Sequence, residues 1–237
     1  MRLSGGDRLR EASVAGGAAA KMWIAFAALA CVTGVHLVAQ IAAPEGAVAD
    51  ITQVLLMPLL AAALFAGTNG PRSRLVRLVL VALFFSWLGD TVPRFDSGDG
   101  GFLALVGCFL VAQLFYAAAF WPYHRRSLLV RPAAVAVYAV ALVILVALCR
   151  EQAGAFLVPV IVYGLALATM AVLATGLGRT AGVGGAIFLI SDSLIALRAF
   201  TDMELPAHGF WVMLTYVVGQ VLLVIAVVAV DRAPAGR

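Results

Sequence analysis

The sequence predicts an all-α protein, a polytopic membrane bundle of eight transmembrane helices. Three observations carry this. Of the 237 residues, 64% are hydrophobic and 12% charged, against about 25% charged for a chain whose surface faces water. The mean hydropathy is +1.05. Apolar runs close to the ~20 residues that span a bilayer recur along the whole chain, with short polar breaks between them.

The first span is expected over 22–41. The basic segment before it resembles the start of a signal peptide, but the apolar run from Met22 to Ile41 is too long for a signal core. It is therefore expected to stay as a helix, closed by Pro44. Spans at 51–67 and 75–92 are parted by Asn69-Gly70-Pro71. The fourth, 101–121, lies between the stretch Asp96 to Gly101 and Pro122. Spans at 132–149 and 154–174 follow. Gly176 to Gly178 precede the seventh, 183–200, and Pro206 precedes the eighth, 209–230. The chain divides into a cytoplasmic N-terminal segment 1–21, one transmembrane domain 22–230 and a cytoplasmic tail 231–237.

Charge orients the bundle. Thirteen of the sixteen basic residues fall on alternate breaks: Arg2, Arg8, Arg10 and Lys21, then Arg72, Arg74 and Arg77, then Arg125, Arg126 and Arg131, then Arg179, then Arg232 and Arg237. The opposite breaks hold Arg94 and Arg150 beside acidic residues. Basic loops stay in the cytoplasm, so both termini are expected there and the span count is even. Scattered basic residues with a net charge of only +4 exclude a nucleic-acid binder. One lysine among sixteen basic residues, with many Ala, Val and Gly, suggests a GC-rich bacterial genome and so the cytoplasmic (inner) membrane. The three cysteines lie in apolar runs without CxxC spacing and read as small core residues.

A parallel 4+4 internal repeat is possible. Pro58 and Pro159 lie 101 residues apart, and Asp90 and Asp192 lie 102 apart. Helices four apart in an up-down bundle run the same way.

Asp90, Asp192 and Arg198 are the charged residues placed within the expected spans away from clear loop positions. An aspartate at a helix centre costs about 2.5–3.5 kcal/mol on insertion, so it faces the bundle interior and has a role. Gln113 and Tyr116 share a face of the fourth span, and Tyr216 and Gln220 share one of the eighth. Tyr163 follows Pro159 in the sixth. Ser86 precedes Asp90, and Ser191 and Ser193 flank Asp192. One shared polar cavity would house all these groups. The plainer alternatives are an Asp90–Arg198 ion pair, packed tyrosines and glutamine glue between helices. His36 reads as structural, with His124 and His208 in loops. No His/Asp/Glu cluster has ligand spacing, so neither a metal nor another cofactor is expected. No nucleophile motif is present. Two carboxyls in a water-poor site can share one proton, which suits acid-initiated ether hydrolysis and proton-coupled lipid or small-molecule transport equally.

The ordered set Leu83-Phe84-Phe85-Ser86-Trp87-Leu88-Gly89-Asp90, Phe102, Gly107 and Tyr116 resembles the first half of the YhhN family of lysoplasmalogenase-like membrane proteins. Val158-Pro159, Tyr163, Met170, Gly185-Ala186-Ile187-Phe188, Ser191-Asp192-Ser193, Arg198-Ala199-Phe200, Thr215-Tyr216 and Gly219-Gln220 resemble the second half. The resemblance implies an eight-span, metal-free hydrolase that cleaves the vinyl ether of a lysoplasmalogen. Asp90 and Asp192 would be the catalytic pair. Ser86, Gln113, Tyr116, Tyr163, Ser191, Arg198, Tyr216 and Gln220 would bind the lysophospholipid-type substrate, with membrane lipids the other partners. Two positions depart from the family pattern. Gln113 stands where a histidine is usual and Met57 where a lysine is frequent, which widens the expected substrate to related ether lysolipids.

Overall fold

The computed structural model describes residues 5–68, 70–95 and 98–233, with side chains described from residue 16 onward. These residues form eight α-helices and no strand: α1 (Gly5–Ala42), α2 (Ala47–Gly67), α3 (Arg74–Thr91), α4 (Asp99–Phe120), α5 (Pro132–Ala153), α6 (Leu157–Ala174), α7 (Arg179–Phe200) and α8 (His208–Arg232), with short 3-10 turns between several of them. Arg2, Asn69, Asp96 and Arg237, used above for breaks and orientation, lie outside the described residues, as do the side chains of Arg8 and Arg10.

Seven described segments are long and apolar enough to cross a membrane. One of them, Pro132–Leu177, is 46 residues long and would reach about 69 Å as a straight helix, twice a ~30 Å hydrocarbon core. It is not straight. Gly154, at φ +49°, divides it into α5 and α6. The two fold onto each other so closely that a Cβ on Gly164 would strike the Leu142 side chain.

Two boundaries differ from expectation. α1 begins well before residue 22 because the 5–21 segment has no proline and holds five alanines, the best helix former, together with Leu9, Arg8, Arg10, Glu11 and Lys21. α2 begins at Ala47 rather than 51, which brings Asp50 inside the helix.

Hydrogen bonds locate the ends of the bundle. At one end Arg232 Nε donates to the Gly67 carbonyl (2.8 Å), Ser73 Oγ to Asp231 Oδ1 (2.6 Å), and the Leu128 amide to Thr175 Oγ1 (2.8 Å). This end gathers the basic breaks. At the other end Arg94 pairs with Asp50, and Phe102, Phe156 and Phe200 form an edge-to-face cluster. Ser73 caps α3, accepting from the Val76 amide. Pro132 starts α5, where its missing N–H costs nothing.

The core joins α2, α3 and α8. Leu56, Leu60 and Leu64 recur every fourth residue on α2 and meet Val76, Val79 and Leu83 of α3 and Leu223, Val224 and Val227 of α8. Met57, where the resemblance made a lysine the frequent expectation, is part of this core. Of the cysteines only Cys149 is buried. Cys108 is half-buried and Cys31 exposed, which corrects the expectation that all three are core residues: an apolar outer face is equally at home in lipid.

Neither span proline breaks its helix. Pro58 lies in the middle of α2 and leaves the Val54 carbonyl, four residues back, without its helical donor. The Trp87 indole of α3 donates to that carbonyl at 3.1 Å. Pro159 is the third residue of α6, among the first N–H groups that a helix leaves unpaired anyway. The prolines thus occupy different helical positions, and the spacing of about 101 residues does not make them equivalent. Continuous α2 and α6 also lack the midplane breaks that a transporter would use.

α7 and α8 approach backbone to backbone at Gly184 and Gly219. A Cβ on Gly219 would stand 3.0 Å from the Gly184 carbonyl oxygen and 3.0 Å from the Phe188 nitrogen. Gly219→Val is therefore expected to lower stability by about 1–3 kcal/mol through forced separation of the helices. Thermal unfolding of the purified protein reads this, and an unchanged Tm would contradict the close approach.

Candidate functional site

Asp90 is the last residue but one of α3, and Asp192 lies eight residues before the end of α7. Both are nearly buried, at 7% and 8% exposure. Each carboxyl accepts a hydrogen bond from a tyrosine of another helix. Tyr216 of α8 donates to Asp90 Oδ2 at 2.9 Å. Tyr163 of α6 donates to Asp192 Oδ2.

The residue before Asp90 explains part of this arrangement. Phe109 of α4 packs so tightly over Gly89 that a Cβ there would lie 2.6 Å from the ring. That ring meets Tyr216 edge to face, with centroids 5.7 Å apart, and Phe188 of α7 packs on Tyr216 from another side at 5.5 Å. The glycine before Asp90 thus admits the ring that fixes the orientation of the aspartate's donor.

A second polar layer lies one helical turn deeper. Tyr116 donates to Gln220 Oε1 at 2.5 Å, and Gln220 Nε2 donates to Ser86 Oγ at 3.2 Å. All three are fully buried. Ser86 lies four residues before Asp90 and Gln220 four after Tyr216, so both layers use the same faces of α3 and α8. Gln113 is also fully buried. It approaches the Tyr163 hydroxyl, but neither of its amide atoms makes a hydrogen bond of ordinary geometry.

The expected single polar cavity is not what forms. Asp192, Tyr163 and Ser193 line a cavity of about 70 Å³ between α4, α5, α6 and α7 whose other walls are apolar, among them Phe109, Leu142 and Leu145. Asp90, Tyr216, Tyr116, Gln220 and Gln113 do not line it. The polar groups satisfy one another directly, which leaves little reason for open polar space. Ser191 faces away and donates to the Val212 carbonyl at 3.0 Å.

The Asp90–Arg198 ion pair is likewise absent. Arg198 is 58% exposed and pairs with Glu204 at 3.4 Å. It lines a wider cavity of about 400 Å³, which shares Phe102, Leu105 and Ile195 with the first. His208 is not a loop residue: it opens α8, is buried, and its ring Nε2 lies 3.0 Å from the Leu194 carbonyl. His36 bonds Thr52 Oγ1 at 2.8 Å between α1 and α2, a structural contact. The tyrosine partners also differ from those a 4+4 repeat would bring, since equivalence to the α3–α8 pair would give Asp192 a partner on α4 rather than α6.

Sequence reasoning missed Gln53, Asp50 and Arg94. Gln53 Nε2 donates to Asp90 Oδ1 at 3.4 Å, and Arg94 joins Gln53 to Asp50. The signal was there: Asp50 and Gln53 are spaced i, i+3, so they share a helix face, but the expected span began one residue after Asp50. Among the described residues no three His, Cys, Asp or Glu side chains gather as a metal site would require.

A family model described as the YhhN family matches residues 48–227. No curated protein and no solved structure matches the chain.

Proposed function

The chain belongs to the YhhN family, and from that premise we propose that it is a membrane-embedded hydrolase cleaving the vinyl-ether bond of a lysoplasmalogen or a related ether lysolipid. The observation that carries this reading is the pair of intramembrane aspartates, each held by a tyrosine hydroxyl, one of them at an apolar cavity.

The chemistry asks little else of the protein. One aspartic acid gives its proton to the outer vinyl carbon, so the carbon next to oxygen becomes an oxocarbenium centre. The other aspartate takes a proton from a water whose oxygen bonds to that centre. In the resulting hemiacetal the aspartate that gave its proton takes the hydroxyl proton back while the other gives its proton to the departing alcohol oxygen, so an aldehyde and the glycerophospho-alcohol leave and both carboxyls return to their starting states. Water is consumed, nothing is oxidised, and proton transfer by positioned carboxyls of this kind contributes typically about 10²–10⁴-fold. Asp192 is assigned as the acid because it lines the apolar cavity, which would take the vinyl-ether end of the alkenyl chain, and Asp90 as the base. Tyr163 and Tyr216 orient the two carboxyls. Tyr116, Gln220, Ser86 and Ser191 hold the helices that carry them. Gln113, fully buried beside Tyr163 and outside the cavity, supports the Asp192 side of the site, and Arg198, at the adjoining wider cavity, is the residue that a headgroup phosphate would meet.

The test is incubation of the purified protein with a panel of lysoplasmalogens, with detection of free aldehyde. Release from vinyl-ether lipids but not from their saturated ether analogues supports the reading, and no release from any vinyl ether refutes it.

The proposed topology counts Pro132–Leu177 as two crossings. It gives eight spans in the cytoplasmic membrane, with both termini in the cytoplasm by the distribution of basic residues. A C-terminal reporter active only in the cytoplasm is expected to be active. Activity of a periplasm-dependent reporter at that position would overturn the eight-span count.

A further inference from the structure

Asp90 is reached by a run of polar side chains that begins at the end of the bundle. Arg94, one turn beyond Asp90, joins Asp50 and Gln53 of α2. Asp50 is about half exposed and Arg94 less so, at 47% and 23%. A guanidinium carries only donors and an ionised carboxylate only acceptors, whereas a glutamine amide has one face of each kind. Gln53 stands between the two. With Arg94 Nη2 donating to Gln53 Oε1, the amide nitrogen is turned toward Asp90 and donates to Oδ1. The flipped amide would set its carbonyl against the carboxylate and its N–H₂ against the guanidinium, losing both contacts at once.

Both oxygens of Asp90 therefore receive donors, Oδ1 from Gln53 of α2 and Oδ2 from Tyr216 of α8. Asp192 accepts from Tyr163 on Oδ2. Nothing in the proton-transfer scheme requires Gln53, Arg94 or Asp50 to touch substrate, yet together they determine where the lone pairs of Asp90 point.

We infer that Gln53, oriented by Arg94 and anchored through it to Asp50, is a positioning residue for Asp90, holding the carboxyl in the rotation that presents a lone pair to the attacking water. The inference rests on the hydrolase reading for its consequence in turnover, but the geometric effect on Asp90 is independent of it.

The experiment uses the full chain in lipid nanodiscs. Gln53→Leu is expected to lower kcat by about 10–100-fold, the scale of a misplaced catalytic group, with KM close to wild type because no substrate contact is lost. Arg94→Gln, which leaves Gln53 in place, should lower kcat by a similar factor, and Arg94→Lys should restore most of it by donating to the same oxygen. The double variant Gln53→Leu/Arg94→Gln should be no slower than Gln53→Leu, since Arg94 acts through Gln53. Wild-type kcat in Gln53→Leu would overturn the inference, and so would an Arg94→Gln effect of the same size with and without Gln53. The infrared carboxyl band of Asp90, identified by its loss in Asp90→Asn, should shift in Gln53→Leu and in Arg94→Gln alike. An unshifted band overturns the positioning role whatever the activity. A shifted band in a protein that releases no aldehyde supports the positioning role and sinks the hydrolase reading alone.

Discussion

Replacing Asp192 with asparagine is expected to lower aldehyde release by about 10²–10⁴-fold, the contribution of a positioned proton donor or acceptor, while the protein remains folded and inserted. Asparagine keeps the size of the side chain and an oxygen for the Tyr163 hydroxyl, so the α6–α7 contact survives. Asparagine cannot ionise, so it adds no cost of insertion inside a span. What asparagine cannot do is give a proton to carbon or take one from water. Aldehyde release and Tm measured together separate chemistry from folding. Full activity in Asp192→Asn would end the carboxylate-pair mechanism. The same loss of activity with a collapsed Tm would show that Asp192 holds the helices rather than the substrate.

Asp90→Asn is expected to fall in the same range, and the double variant to be no slower than either single one, because groups that act as a unit are not additive. The substitution also tests the geometry. An asparagine at 90 keeps an oxygen for one donor, but its own N–H₂ then faces the other, either Tyr216 or Gln53. Some loss of stability is therefore expected here and not at Asp192. Arg198→Gln should neither restore nor worsen it, since Arg198 is paired with Glu204 at an exposed position, where ion pairs contribute little. Recovery of Tm in Asp90→Asn/Arg198→Gln would revive the ion pair between them. Activity of the double aspartate variant far below both singles would mean that the two carboxyls act on separate steps.

The two aspartates were legible from the sequence because the bilayer makes them conspicuous: an acid within an apolar span is costly wherever the helix is placed. The same argument singled out Tyr116, Tyr163, Tyr216 and Gln220, and all of them do pair with other polar groups. It failed for Gln53 and Arg94. Both lie near the end of the bundle, where a polar residue is cheap in water as well as in protein, so composition gives no reason to place them inside.

By itself the sequence determined the solvent of this protein, the breaks between its helices and the presence of two acids that must be sheltered. Those properties are local, set by hydropathy over some twenty residues and by Gly and Pro at the turns. The tertiary structure alone decided which tyrosine meets which aspartate, since Asp90 and Tyr216 are 126 residues apart and any of several polar faces satisfied the same pattern. It also decided which apolar face is core and which meets lipid. In water that distinction is written as polarity along each helix. In a bilayer both faces are apolar, so it rests on close fit, as where Gly184 and Gly219 let α7 and α8 touch.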